Sequence, residues 1–153
     1  MKPYLLLDID GVLVTTPSWK QPELLEDGFM LFQKNAAANL AYLLSLAEIQ
    51  LVLVSSHRHR YPIAEWQRLF ANRKIHPRSI TLMESILPGF PSRKMEIEAW
   101  LNRNPGANFI LIDDDSSLQA LEPALKSRWV QTFPLKGFDD EALEKAKILL
   151  GLM

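Results

Sequence analysis

Two aspartates one residue apart, Asp8 and Asp10, close the apolar run Tyr4-Leu5-Leu6-Leu7 and stand directly before Gly11-Val12-Leu13. Like charges so close together, at the carboxyl end of a buried strand, repel and raise one pKa unless a cation or a shared proton relieves them. The pair is therefore a candidate site. Similar polar clusters close other apolar runs: Ser55-Ser56-His57-Arg58 follows the second, and Asp113-Asp114-Asp115 follows Phe109 to Ile112. Arg93-Lys94 stands at the head of the helix expected before that last strand, where a cation could reach the same crevice. Several carboxylates converging on one edge are unstable alone, whereas hard oxygen ligands around Mg²⁺ make the same cluster favourable. A hydroxyl and a cation beside that metal complete a site for a dianionic phosphoryl group, whose charge needs donors aimed at its oxygens.

The elements that must position these residues alternate between strand-like and helix-like pattern. This predicts an α/β, three-layer Rossmann-like fold: a mostly parallel sheet of about five strands with helices on both faces. Continuous apolar runs, the mark of strands buried on both faces, cover Tyr4 to Ile9, Ile49 to Val54, Ile80 to Met83, Phe109 to Ile112 and Trp129 to Phe133. Helical spacing covers Leu31 to Ala47, and Pro62 opens a second helix through about Asn72 from a position where its missing N–H does no harm. A third helix runs from about Ser92 to Asn102 and is stopped by Pro105-Gly106. Asp139-Asp140-Glu141 begins a last one with acids where the helix dipole favours them. Thr15 to Gly28 reads as a loop or short hairpin rising over the end of the first strand. Open α/β sheets bind ligands at the carboxyl ends of their strands, where the polar clusters fall.

The 153 residues with 48% hydrophobic content suffice for one core of ordinary size, so one domain over residues 1–153 is expected. A charged fraction of 23% and a net charge of −1 exclude the disordered and the strongly basic nucleic-acid-binding classes. Absence of cysteine excludes disulfides, thiolate metal sites and cysteine nucleophiles. With no basic-then-apolar leader and no apolar stretch near the roughly 20 residues that span a bilayer, a cytoplasmic protein free of membranes is expected.

In their order, these residues resemble the haloacid dehalogenase-like phosphohydrolases. The family's first motif is similar to Asp8-Ile9-Asp10-Gly11-Val12, its second to the hydroxyl ending Leu51-Val52-Leu53-Val54-Ser55, its third to Arg93 or Lys94, and its fourth to Asp113-Asp114. Ser55-Ser56-His57-Arg58, Arg93 with Glu96-Ile97 and Trp100-Leu101, and Leu111-Ile112-Asp113-Asp114-Asp115 resemble a small branch that includes domains attached to RNA-repair proteins. The chain departs from that branch at His57, where it carries tryptophan, and at Lys94, where it carries glycine.

The resemblance implies roles. Asp8 would attack phosphorus and form an aspartyl-phosphate, and Asp10 would protonate the leaving oxygen. Mg²⁺ would be held by Asp8, the Asp10 carbonyl, Asp113 and Asp114. Ser55 would donate to a phosphoryl oxygen, Arg93 or Lys94 would neutralise developing charge, and Ser56, His57 and Arg58 would border the substrate. Only 44 residues separate Asp10 from Ser55 and 37 separate Ser55 from Arg93, too few for the cap domains that enclose small metabolites in this family. A bulky phosphorylated substrate, a nucleic-acid end or a phosphoprotein, is the expectation, with oligomerisation as another way to form a lid. From His57 to Arg78 six cations (Arg58, Arg60, Arg68, Arg73, Lys74, Arg78) stand against Glu65 alone, a stretch that could attract phosphate.

Plainer readings exist for each feature. Strand-end aspartates can cap backbone amides, Ser55-Ser56 can start a helix, Asp115 can cap the turn after it, and the arginines can form a solvated face. Trp66, Trp100 and Trp129 read as packing, whereas Trp19 lies in the loop above the site. Two other functions compete: a binding or assembly module with little turnover, and a receiver-type phospho-acceptor domain. In a receiver the phospho-acceptor follows a middle strand and the lysine follows the last one.

Overall fold

The computed structural model describes residues 2–152. Five parallel strands, β1 (Tyr4–Leu7), β2 (Gln50–Leu53), β3 (Ser79–Leu82), β4 (Phe109–Asp113) and β5 (Trp129–Gln131), form one sheet in the order β3-β2-β1-β4-β5. β1 lies at the centre, and Leu5, Leu6 and Leu7 are fully buried. Successive side chains of a strand point to opposite faces, so Leu5 and Leu7 join one apolar cluster and Leu6 joins the other. The first cluster is closed by α1 (Lys34–Ser45), α2 (Ile63–Asn72) and α5 (Asp140–Leu149), through Leu40, Leu43, Trp66, Leu69, Phe70, Leu143 and Ala146. The second is closed by Ile97 and Trp100 of α3 (Arg93–Arg103), with Leu125 of the short α4 (Pro123–Lys126) packed against it. Right-handed crossovers explain the division, because the chain steps outward from β1 in one direction through β2 and β3, then in the other through β4 and β5.

The Rossmann-like expectation holds, and the elements differ from it mainly at their ends. β1 stops at Leu7 because the Ile9 carbonyl accepts from Val12 N (3.1 Å), Leu13 N (2.8 Å) and Val14 N (3.1 Å), which turns the chain tightly out of the sheet. α1 begins at Lys34 rather than Leu31. Leu31 N donates to the Glu23 carbonyl (2.8 Å) and Gln33 N to the Leu13 carbonyl (2.7 Å), so those residues belong to the loop. The Gln33 side chain then caps α1 by accepting from Ala36 N at 2.6 Å. Ser92 and Asp139 cap α3 and α5 through Met95 N and Ala142 N, as the sequence implied. Phe133 falls outside β5 and is exposed. Among the described residues no helix is long and apolar enough to cross a membrane.

Candidate active site

The direction of chain progression reverses between β1 and β4, and the crevice at their carboxyl ends is where such sheets bind ligands. Parallel register sets Leu7 opposite Ile112, and Asp8 N still donates to the Ile112 carbonyl at 3.1 Å. Asp8 and Asp113 therefore come side by side, with Asp114 next along the chain. Carboxylate oxygens of these three residues all lie within 4.8 Å of one another. Arg93, at the first turn of α3, reaches into the same place: its guanidinium pairs with the Asp113 carboxylate and stands 3.7 Å from Asp8 Oδ1.

Burial pushes the Asp8 carboxyl well above the ordinary carboxylate range, and the charge of Asp113 pushes it further; Arg93 and the Ile9 amide oppose this. Burial raises Asp113 as well, against the pull of Arg93, and raises Asp114 with Asp113 adding to it. Burial works against the charge of Arg93, but Asp113 and Asp8 outweigh it and hold the side chain above its usual value. Three carboxylates against one guanidinium leave a formal surplus of two negative charges, which a divalent cation would offset. The donor set of hard oxygens suits Mg²⁺. Gly11 makes room for it: φ is +77°, and a Cβ there would lie 2.0 Å from Asp114 Oδ2.

Asp10 does not pair with Asp8. The turn at Ile9 carries its side chain away to an open position, 56% exposed, where Oδ2 meets His57 Nε2 at 2.8 Å. The like-charge partner of Asp8 is instead Asp113, brought across from the neighbouring strand. Ser55 is fully buried beyond β2, and its Oγ accepts from His57 N at 3.1 Å, leaving the hydroxyl proton free to donate. Ser56 is exposed at the start of a 3₁₀ turn, Ser56–Arg60. Of the two neighbouring cations, Arg93 occupies the crevice, whereas Lys94 Nζ turns to Glu98 at 3.2 Å. Asp115 accepts from Ser117 N at 2.9 Å and caps the following turn, as its plainer reading has it.

Arg58 departs from its expected place at the substrate. Its Nε donates to Met83 O (2.8 Å), one amino group to Val54 O (3.0 Å) and Ser55 O (3.1 Å), and the other to Ser85 Oγ (2.9 Å) and the Glu96 carboxylate. Every N–H is engaged, so this buried cation braces the site from below. The basic stretch is likewise dispersed by pairing. Arg68 meets Glu65, Arg78 meets Glu48, and Arg73 is buried against Asp27. Local sequence counts charges but not their partners, which lie up to dozens of residues away. Glu96 was missed as a site residue; it joins Arg58 to Arg93, with Oε1 3.9 Å from Arg93 Nε. Its i, i+3 spacing from Arg93 is the signal that could have found it. Thr132, whose Oγ1 donates to the Gly11 carbonyl at 2.8 Å and steadies the glycine turn, carries no such signal.

The sheet order also separates this chain from receiver domains, whose strands run 2-1-3-4-5. A search of the curated proteins finds no match. The family model described as the HAD domain in Swiss Army Knife RNA repair proteins matches residues 4–143, and with its aspartates, buried hydroxyl, arginine and acidic pair in the order that the resemblance implied, the chain belongs to that family of haloacid dehalogenase-like domains.

Proposed function

We propose that this protein is a Mg²⁺-dependent phosphomonoester hydrolase working through an aspartyl-phosphate at Asp8. The observation that carries the reading is the meeting of Asp8, Asp113 and Asp114 with Arg93 in the crevice between β1 and β4. Asp8, Asp113, Asp114 and the Asp10 carbonyl would hold Mg²⁺, which when bound offsets carboxylate charge and withdraws charge from phosphoryl oxygens. Asp8 is the carboxylate able to attack phosphorus, Arg93 and the Ser55 hydroxyl orient and neutralise the phosphoryl oxygens, and Asp10 protonates the leaving oxygen. Asp10 suits that last role because its side chain faces outward from the buried acids.

The substrate we propose is a bulky phosphorylated molecule, a nucleic-acid end before a phosphoprotein. Three features support it: the relatives' description names RNA repair; the intervals around the site have no room for a cap; and the loops after β1, β3 and β5 each expose an aromatic ring, Trp19, Phe90 and Phe133, on which bases could stack. We take residues 1–153 to form one catalytic domain, and we place it in the cytoplasm.

The test is hydrolysis of 4-nitrophenyl phosphate by purified protein with and without Mg²⁺, with Asp8→Asn as the blank. EDTA-sensitive turnover that is absent from the variant is expected, followed by release of phosphate from 5′- or 3′-phosphorylated oligonucleotides in preference to phosphopeptides. Lack of turnover at every Mg²⁺ concentration, on aryl phosphate and oligonucleotide alike, would favour a binding module instead.

A further inference from the structure

His57 lies in the turn after β2 with its ring edge-on to Phe29, centroids 5.8 Å apart at 83°. Its Nε2 stands 2.8 Å from Asp10 Oδ2, and its Nδ1 faces Arg60 Nη1 at 3.4 Å. Arg60 is itself held over the rings of Phe29 and Tyr61, 5.5 Å from each centroid. A guanidinium can only donate. Nδ1 is therefore the acceptor, the imidazole proton sits on Nε2, and Nε2–H donates to Asp10 Oδ2.

We infer that His57 is the positioning residue of Asp10, fixing which carboxyl oxygen carries the transferable proton; this rests on the phosphohydrolase reading above. With Oδ2 turned to the imidazole, Oδ1 is the oxygen left to hold that proton and face the leaving group. As the bond from an Asp8 oxygen to phosphorus forms and the ester P–O bond breaks, the electron pair of the broken bond stays on the leaving oxygen. That oxygen takes the Oδ1 proton, and Asp10 becomes a carboxylate steadied by Nε2–H. In the second half, water attacks phosphorus, its proton returns to Oδ1, and the bond to Asp8 breaks with its electron pair on the carboxylate. The residue that departs from the family branch would thus do positional work at the acid.

A group that serves only proton delivery matters in proportion to how badly the leaving oxygen needs the proton. His57→Phe keeps a ring against Phe29 and removes the donor, while His57→Gln keeps an N–H at similar reach. Each is compared with wild type on an alkyl phosphate and on 4-nitrophenyl phosphate. We expect His57→Phe to lose about tenfold or more in kcat on the alkyl ester, a fraction of the 10²–10⁴ ascribed to a general acid. On the aryl ester it should stay within about threefold, and His57→Gln should recover most of the alkyl activity. Equal losses on both esters, no loss on the alkyl ester, or failure of the glutamine to rescue would overturn the inference. Wild type inert toward both esters would instead remove the phosphohydrolase reading on which it stands. Should His57→Phe not fold, ¹⁵N NMR of the wild-type imidazole decides: a proton on Nε2 with a bare Nδ1 is expected, and a proton on Nδ1 overturns the inference.

Discussion

Replacing Arg73 by methionine should cost more stability than any other single exchange at the edge of the site. Arg73 and Asp27 keep only 2% and 3% of their side-chain surface exposed. Two guanidinium nitrogens donate to the Asp27 carboxylate at 2.7 and 3.1 Å, and others to Met30 O at 3.0 Å and Leu69 O at 2.7 Å. Asp27 also accepts from Asn72 Nδ2 (2.9 Å) and from Phe29 N (3.0 Å), so the pair ties the loop between β1 and α1 to the end of α2. Methionine would leave the carboxylate buried without its counter-charge, and breaking such a pair costs roughly 3–5 kcal/mol. For a protein of this size that lowers Tm by roughly 6–20 °C. The double variant Asp27→Leu with Arg73→Met removes both charges and should regain most of the loss, since replacing a whole buried pair by apolar residues is often neutral.

The same pair has a pH signature. The Arg73 side chain, above all other contacts, holds the Asp27 carboxyl far below the usual carboxylate range. A lowered folded-state pKa contributes stability that is full above the unfolded value of about 3.9 and is lost as pH falls toward the folded one. Wild type should therefore lose stability steeply in acid below about pH 4, and Arg73→Met should lack that part of the slope. Urea titrations from pH 3 to 7 on the two single variants and the double variant measure both effects. Single losses below about 1 kcal/mol, or losses that simply add in the double variant, would refute a buried, mutually dependent pair.

Asp8→Asn should raise the stability of the metal-free protein near neutral pH and abolish any gain from Mg²⁺. Burial and Asp113 raise the Asp8 pKa, so its contribution is favourable at low pH and lost as pH rises through the folded value. Thermal melts with EDTA and with Mg²⁺ check this, wild type gaining about 2.7 kcal/mol at a metal concentration a hundredfold above Kd. Gly11→Ala should weaken that Mg²⁺ response without removing a ligand, because the new methyl collides with Asp114 and the positive φ costs about 1–2 kcal/mol; the same melts read it. Arg93→Met should lower kcat on an aryl phosphate by roughly 10²-fold or more, whereas Lys94→Ala should stay within about twofold, its ammonium facing Glu98. Equal effects of the two would contradict the placement of Arg93 in the crevice.

The charges around the site form a connected arrangement. Glu96 joins buried Arg58, which ties the end of β2 to the chain after β3, to Arg93, which meets Asp8 and Asp113. On the outer side Phe29 carries the anchored loop against His57 and Arg60, and His57 meets Asp10. Disturbing Asp27 or Arg73 should thus reach Asp10 through Phe29, so Arg73→Met should weaken turnover as well as stability.

Local pattern in the sequence determined that there would be five strands, which helices would cover them, and that the polar clusters would end on one edge. Each depends on neighbours along the chain: apolar runs for buried strands, Ser92 and Asp139 as caps, Pro62 before a first turn. The ends of β1 and α1 were not legible, because the Ile9 carbonyl and the backbone of Leu31 and Gln33 find partners through a turn and through distant residues. Which charges meet was decided by tertiary structure alone. Asp8 faces Asp113 because β1 and β4 pair in parallel at Leu7 and Ile112, and Asp10 meets His57 because one tight turn separates it from Asp8. Arg93 differs from Lys94 because one helical step rotates a side chain by about 100°, toward the acids in one case and toward Glu98 in the other. Residue type and spacing say which groups can do chemistry, whereas strand register and helix rotation choose their partners, and those interactions act across gaps that no local pattern spans.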